Sequence, residues 1–445
     1  MTRDKKYIQI HAQKKAAGQN AAADGGINIV AVLDIGSSKI CCFIAEVKNH
    51  GTLEVIGIGH QASRGVKSGT IVDLKAAETA VAHAVEAAET MAKDRLQGQP
   101  IASVTVNVAG VHTLTHPLSV HVKIVGHEVS ERDVRAALAH SRSVAVPGKD
   151  ELIQVIPAAY AIDRTRGIQE PRGMVGEMLN VNITAVTGFS SALCHLSTIA
   201  AQNHLMLDGF CAAPYASGLA ALAGDEVQLG CTVIDMGGGT TSIAVFSGGK
   251  LVYTAAIPVG GINVTNDIAR GLTTSLADAE RIKTLYGSAH AAGTDSGAMI
   301  DVPPVGEEEP SQPNYVPRSL LTGIIQPRIE ETFELVRAKL VDSGINKIAG
   351  RRVVLTGGAS QLPGLCDIAQ MILDKQIRLG RPQHIKGLAE ATGGPAFSTA
   401  AGLLIYAATH ADEIPPTHAG HAFSLPEPFN GYLLQKVTHW LRENW

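Results

Sequence analysis

Apolar and polar positions along this chain repeat with two different periods, and the changes of period divide it. "INIVAVLDIG" is an apolar, β-branched run that stops at Gly36, and "KICCFIAEV" and "LEVIGIGHQ" follow at short spacing, so three consecutive strands are predicted. "DLKAAETAVAHAVEAAETMAKD" then carries an apolar stripe at helical spacing. Past Pro100 come strands at "IASVTVNVAG" and "LSVHVKIVG", a helix at "SERDVRAALAHSRS", and strands at "ELIQVIPAAYAID" and "MLNVNITAVTG". This β-rich block with one helix, residues 101–189, reads as a small α+β unit set into a larger fold.

The main pattern resumes with a helix at "SALCHLSTIAAQNHLM" and the run "CTVIDMGGGTTSIAVFSGGKLVYTAAIPVGG". That run and "IVAVLDIGSSKICCFIAEVKNHGTLEVIGIG" share one order: apolar strand, Asp, one apolar residue, glycine, small polar residues, strand, turn, strand. The chain contains an internal duplication about the size of a subdomain core. Helices follow at "VTNDIARGL" and "SLADAERIKTLYG", and residues 288–319 are loop-rich and acidic, an exposed hairpin or irregular insertion. "LLTGIIQPRIEETFELVRAKLVDSG" is helical with a break expected before Pro327, and "RRVVLTGGASQLPGL" is again strand, glycine turn and helix start. A linker with four prolines then leads to the final segment, "FNGYLLQKVTHWLRENW".

Composition narrows the class. At 445 residues the chain exceeds one hydrophobic core, so two or more domains are expected. A net charge of −4 supplies no global pull toward nucleic acid, and no nucleic-acid partner is expected. Six scattered cysteines without a CxxC pair read as reduced, buried thiols, and seventeen dispersed histidines, His112 and His116 among them, suggest no metal cluster. No run approaches the ~20 apolar residues of a membrane span. Residues 1–27 are polar and basic and read as a flexible arm; "GEEEP" (306–310) reads as a solvated loop.

Three strand-to-turn units carry chemistry: "VLDIGSSK", "VIDMGGGTT" and "VLTGGAS". Glycine after a strand lets backbone N–H groups approach phosphate oxygens without a Cβ in the way. Gly36, Gly237, Gly238, Gly239, Gly357, Gly358 and Ala359 supply that backbone; hydroxyls of Ser37, Ser38, Thr240 and Thr241 add donors, and Lys39 adds a cation. Asp34 and Asp235, at equivalent strand ends, would orient water around a phosphate-bound Mg²⁺. Neither a GxxxxGK[ST] loop nor a GxGxxG turn opening a βαβ unit is present.

These turns resemble those of the actin, Hsp70 chaperone and sugar kinase superfamily: "LDIGSSK" its first phosphate loop, "IDMGGGTT" its second, "LTGGAS" its adenosine loop. "DAERIK" matches the helix whose Glu280 and Lys283 would flank adenine and ribose, and "PYASGLAAL" and "FSTAAGLLIYA" match two connecting helices packed through Gly218 and Gly402. With the β-rich block in the first domain, "VIPAAYAID" and the terminal segment, the chain is similar to the bacterial cell-division FtsA family. The superfamily resemblance runs from Ile29 to about Ala408, and the family resemblance takes in the terminal segment as well. It implies an α/β, actin-like two-domain ATPase fold with a duplicated core, an inserted α+β (SHS2-like) subdomain and a C-terminal amphipathic helix. The parts would be an arm (1–27), a first domain (28–100, 190–226 and 395–408), the insert (101–189), a second-domain core (227–262 and 345–394), an outer subdomain (263–344), a linker (409–428) and the terminal helix (429–445).

The resemblance further implies ATP and Mg²⁺ as ligands and self-association into filaments. It implies contact with later division proteins through the insert, and tethering of FtsZ filaments to the cytoplasmic face of the inner membrane at the division septum. The C-terminal peptide of FtsZ would meet "IIQPRIEETFELVR", with Arg328 at a basic position of the family's pattern. On a helical wheel Phe429, Leu433, Leu434, Val437, Trp440, Leu441 and Trp445 share one arc, and the helix is about 25 Å long at ~1.5 Å per residue, which suits lying in a lipid interface and not crossing it. Both tryptophans of the chain stand there, at the depth this ring prefers; the bland alternative is a helix docked on its own body. No residue is assigned to catalysis. Where chaperone relatives have an aspartate after the second phosphate loop, this chain has Ser242, so at most slow ATP hydrolysis is expected. Other readings are a shape-determining or pilus-assembly actin homologue, or a small-molecule kinase.

Overall fold

A computed structural model describes residues 28–48, 51–143, 150–290, 298–306, 314–383, 385–410 and Glu413. The basic arm (1–27) and the terminal helix (429–445), with its membrane-facing residues, lie outside the described residues, as does nearly all of the linker. The chain opens with an antiparallel meander, β1 (Ile29–Ile35), β2 (Lys39–Val47) and β3 (Leu53–Ala62). A two-rung hairpin, β4 (Val66–Lys67) and β5 (Thr70–Ile71), leads into the helix Leu74–Ala92. Asp73 caps that helix by accepting from the Ala76 N–H at 3.0 Å. Its buried stripe of Ala77, Ala80, Val81, Ala84, Val85 and Ala88 lies on β2 and β3, as the 3–4 spacing dictates.

β6 (Ser103–Val108) returns parallel to β1, and the first sheet runs β11-β6-β1-β2-β3-β19, with β11 at Met206–Ala212 and β19 at Ile385–Lys386. This corrects two expected boundaries. Ser103–Val108 belongs to the first sheet and not to the insert, and Ile385–Lys386 pairs with β3 and not with the second domain. β6 is almost wholly buried although Ser103, Thr105 and Asn107 alternate with its valines, and that alternation carries no mark of which sheet it joins.

The insert is a second sheet, β7 (Thr113–Lys123), β8 (Asp150–Ile162), β9 (Thr165–Ile168) and β10 (Met178–Phe189), in the order β7-β10-β8-β9. The helix Glu131–Ser143 packs on it, and Val120, Val134, Ala137, Leu179, Val181 and Ile183 belong to a core of its own. The insert also touches the far lobe: Thr184 Oγ1 donates to the Leu251 carbonyl at 2.9 Å and the Thr254 N–H donates to Thr115 Oγ1 at 3.3 Å.

The second lobe repeats the first. β12 (Cys231–Met236), β13 (Thr241–Ser247) and β14 (Lys250–Ile257) form the meander, and β17 (Arg352–Thr356) and β18 (Gln376–Leu379) extend it in the order β14-β13-β12-β17-β18. The helices Gly261–Leu272, Leu276–Tyr286 and Arg318–Asp342 pack outside, with β15 (Met299–Asp301) and β16 (Tyr315–Pro317) forming a small hairpin between the last two. The helix expected to break before Pro327 does not break; it runs unbroken from Arg318 to Asp342. A proline inside a helix costs ~3 kcal/mol, but Leu321, Ile325, Ile329, Phe333, Val336 and Leu340 are all buried along one stripe that passes it. At ~1.5–3 kcal/mol for each large side chain buried, the stripe outweighs the local cost.

Two helices join the lobes. Ala213–Ala221 packs on β12 and β13, and Ser398–Thr409 packs on β1 and β2. They cross so closely that a Cβ on Gly402 would lie 1.7 Å from the Ala216 carbonyl oxygen.

Candidate functional site

The two duplicated hairpins are superimposable in register. Asp34 pairs with Cys41 and Ile35 with Ile40 across a turn of residues 36–39; Asp235 pairs with Ser242 and Met236 with Thr241 across residues 237–240. Each turn closes the same way, with Gly36 N–H donating to the Lys39 carbonyl at 3.1 Å and Gly237 N–H to the Thr240 carbonyl at 2.8 Å. The turns face each other across a cleft of about 710 Å³ between the lobes. They meet so closely that a Cβ on Gly238 would lie 2.6 Å from Ser38 Cβ, and one on Gly239 2.7 Å from Ser37 Oγ. Only glycine fits there.

The cleft collects nearly every residue expected to bind a ligand: Asp34, Gly36, Ser37, Ser38, Lys39, Asp235, Gly237, Gly238, Gly239, Thr240, Glu280, Lys283, Gly357, Gly358 and Ala359. Thr241 is the exception. It is buried in β13 and its hydroxyl donates to the Val259 carbonyl at 2.8 Å, so it braces the hairpin and does not line the cleft. Lys39 donates to the Ala396 carbonyl and lies over the Phe397 ring, 3.7 Å from its centroid. Lys283 Nζ is tied to the Gly261 carbonyl at 3.2 Å, Thr265 Oγ1 at 2.9 Å and Glu280 Oε2 at 2.7 Å, which fixes Glu280 at the cleft's outer wall. Gly357 has φ +85°, and its bare Cα lies beside Asp235 Oδ1, where a Cβ would approach to 2.3 Å.

Asn107, Ser217 and Thr399 belong to the site although sequence reasoning passed over their roles. Asn107 Nδ2 donates to Asp34 Oδ1 at 2.8 Å while its Oδ1 accepts from the Ile35 N–H at 2.7 Å. Ser217 Oγ and Thr399 Oγ1 both donate to Asp235 Oδ2, the second at 3.1 Å. The available signals were faint: one amide in the apolar strand "VTVNVAG" and one hydroxyl in each connecting helix. Ser242 also lines the cleft, next to Gly110 of the insert's first turn. Arg328 lies elsewhere, on the outer helix, where its guanidinium grips both oxygens of Asp267 at 2.5 and 3.1 Å and also meets Glu331. His112 and His116 bond to Thr70 Oγ1 (2.9 Å) and Thr187 Oγ1 (3.2 Å), and no metal-holding cluster occurs among the described residues.

Burial dominates the electrostatics of the two acids. Burial pushes the Asp34 carboxyl up to about 7; Lys39 opposes the rise and Asp235 adds to it. Burial also raises Asp235, against the hydrogen bonds from Ser217 and Thr399 and the charge of Lys39. Two carboxylates that resist ionisation stand beside hydroxyls, a lysine and glycine backbone. That donor set fits a polyphosphate accompanied by a cation, whose charge would favour both carboxylates in the ionised form.

Comparison with known proteins follows the same division of the chain. A family model described as cell division protein FtsA matches residues 232–402, and one described as the SHS2 domain inserted in FtsA matches residues 110–187. The cell division protein FtsA of Agrobacterium fabrum is 44% identical over 430 residues, which cover 94% of this chain and 95% of that protein. That of Pseudomonas aeruginosa is 34% identical over 425 residues, covering 95% and 100%. Among solved structures, the PilM-PilN type IV pilus biogenesis complex aligns with a TM-score of 0.59 at 16% identity, covering 85% of this chain and 98% of that one. MreB5 of Spiroplasma citri bound to ADP aligns at 0.52 and 14% identity, covering 86% and 97%. At such identities the likeness is one of fold, the actin-like pairing of two lobes.

Asp34 makes ligand-free stability depend on pH in a calculable direction. Its folded value, about 7, lies above the ordinary 3.8, so the folded state holds the proton more tightly. The contribution is present in full below pH of roughly 4 and is lost as pH rises through about 7, on the order of 4 kcal/mol at ~1.36 kcal/mol per pH unit. Asp34→Asn should make that decline shallower in urea unfolding of the ligand-free protein, leaving the share of the raised Asp235, and exceed the parent in stability at pH 8. A parental slope retained in the variant would place the titrating group elsewhere.

Proposed function

Because the chain belongs to the FtsA family of actin-like cell division proteins, we propose that its cleft binds ATP with Mg²⁺ and that the bound state governs self-association into filaments. The observation that carries this reading is the facing pair of duplicated glycine turns, each with its own buried acid, in one cleft. With the Gly36 and Gly237 N–H groups closing the turns, Ser37–Ser38 and Gly238–Thr240 would offer N–H and hydroxyl donors to phosphate oxygens, and Lys39 a cation. Asp34 and Asp235 would accept hydrogen bonds from metal-bound water. Glu280 would meet the ribose, with Gly357–Ala359 against the base. When bound, MgATP supplies the negative charge and the cation that this donor set lacks. Ser242 offers a hydroxyl where a carboxylate base would speed hydrolysis, so nucleotide acts chiefly by favouring one assembly state, with slow turnover.

The same reading assigns the protein to the cytoplasmic face of the inner membrane at the division septum, as a peripheral tether for FtsZ filaments. No helix among the described residues is long and apolar enough to cross a membrane. Residues 429–445 would supply the lipid contact as an amphipathic helix carrying Trp440 and Trp445. A single such helix binds weakly, since ordering it costs much of the gain from partial burial, and a filament displaying many helices binds by avidity. The C-terminal peptide of FtsZ would dock on the outer helix around Arg328, sharing or displacing its Asp267 partner, and the insert would recruit later division proteins.

Three measurements test these assignments. Gly238→Val drives a branched side chain into Ser38 and the phosphate path, and should weaken ATP binding in calorimetry by more than about tenfold, ~1.4 kcal/mol; parental affinity in a folded variant would remove the nucleotide from this cleft. Arg328→Ala should weaken binding of an FtsZ C-terminal peptide by about tenfold with little change in melting temperature, and equal affinity would move the partner to another face. Trp440→Glu should abolish co-sedimentation with liposomes, with little dependence on added salt in the parent, and leave ATP binding unchanged. A variant that still pelleted, or that also lost ATP, would show that the terminal segment is part of the folded body.

A further inference from the structure

The duplicated acids are held differently. Asp34 is fixed within its own lobe, by Asn107 of the adjoining strand β6. Asp235 is fixed by two hydroxyls that converge on its Oδ2, Ser217 Oγ and Thr399 Oγ1, which themselves lie 2.9 Å apart. Ser217 comes from the connecting helix packed on β12 and β13, and Thr399 from the one packed on β1 and β2. The Thr399 bond therefore crosses from the first lobe to an acid of the second. Its position is also particular. Thr399 and Gly402 are three residues apart on one helix face, and Gly402 meets the backbone of Ala216, the neighbour of Ser217. Both donors thus stand within a turn of the point where the helices touch, where a relative rotation displaces atoms least.

Satisfying a buried carboxylate needs only donors, from anywhere nearby. A pair taken one from each connecting helix does more: it sets the plane of the Asp235 carboxylate, and hence the direction in which Oδ1 is offered, by the seating of the two lobes on each other. We propose that Ser217 and Thr399 are positioning residues for a divalent cation that accompanies nucleotide, and that Thr399 makes cation binding depend on how the lobes are seated. This rests on the nucleotide reading above and adds to it a specific route from cation to hinge.

The test is a magnesium titration of ATP binding, read by calorimetry on the full chain, with affinity in EDTA as the reference and a melting curve for each variant. In Thr399→Val, which keeps the shape and removes the hydroxyl, the Mg²⁺ concentration for half-maximal enhancement should rise by about tenfold, the scale of one lost hydrogen bond to a charged group. ATP affinity in EDTA is measured for each variant, so the shift in the Mg²⁺ midpoint is read against that variant's own metal-free affinity. Thr399→Ser restores the donor and should titrate like the parent, while Ser217→Ala should shift in the same direction as Thr399→Val. In an Asp235→Asn background, Thr399→Val should add nothing. If Thr399→Val does not fold, Ser217→Ala against Thr399→Ser carries the comparison. A parent that binds no ATP overturns the nucleotide reading and this inference together. A parent with Mg²⁺-dependent binding and hydroxyl-free variants that titrate identically overturns this inference alone.

Discussion

The backbones of two helices touch at Gly402 and Ala216, and most of the architecture follows from that contact. One helix lies on the sheet of the first lobe and the other on the sheet of the second, so their separation sets the separation of the lobes. A side chain at position 402 would hold the helices apart and widen the cleft at its floor. Gly218 makes a comparable allowance one layer out, where a Cβ would strike the Phe246 ring at 2.3 Å. Close packing of this kind leaves no room to deform gradually, so the lobes have few ways to sit on each other.

Charge is distributed in keeping with that division of labour. Glu226 and Asp34 are both carboxylates with little exposure, and their environments drive them in opposite directions. Hydrogen bonds from Arg378, with help from the Ala223 N–H and Arg352, outweigh burial and pull Glu226 down to about 2. The resulting clamp joins the short helix Gly224–Leu229 to β17 and β18 and keeps its shape unaided. At Asp34 burial prevails over the single cation Lys39, and the neighbouring acid makes matters worse. A carboxylate with its own guanidinium holds structure together, whereas a buried pair sharing one lysine favours any cation brought beside it.

The insert complicates a simple two-lobed hinge. It grows from the first lobe directly after Asn107, yet its strands β7 and β10 hydrogen-bond to β14 of the second. Its first turn also packs against Ser242: a Cβ on Gly110 would lie 2.7 Å from that hydroxyl and 2.9 Å from Ala256 Cβ. Among the described residues the lobes are thus bridged by the insert at the side as well as by the two helices at the floor.

Much of this was legible in the amino-acid sequence because it is local. Strand runs, the alanine stripe of Leu74–Ala92 and the matched order of Asp, glycine and hydroxyl residues in the two turns are written in consecutive residues, and the turns closed in identical register. Burial of long stripes was legible too, but its contest with Pro327 was not, since only packing reveals that six large side chains lie along the same face. Sheet membership escaped for a related reason: Ser103–Val108 alternates polar residues with valines yet is buried along almost its whole length, and nothing in that alternation names the sheet it joins. Thr241 and Thr240 are adjacent hydroxyls with the same chemistry, but Thr240 ends the turn and lines the cleft while Thr241 opens β13 and bonds to Val259, a boundary visible only once register is set. The elements, the duplication and the chemistry of the turns are all short-range properties, readable from consecutive residues. Which donors hold each acid emerges only on folding, because Asn107 stands 73 residues from Asp34 and Thr399 stands 164 from Asp235, and nothing local records a contact across such separations.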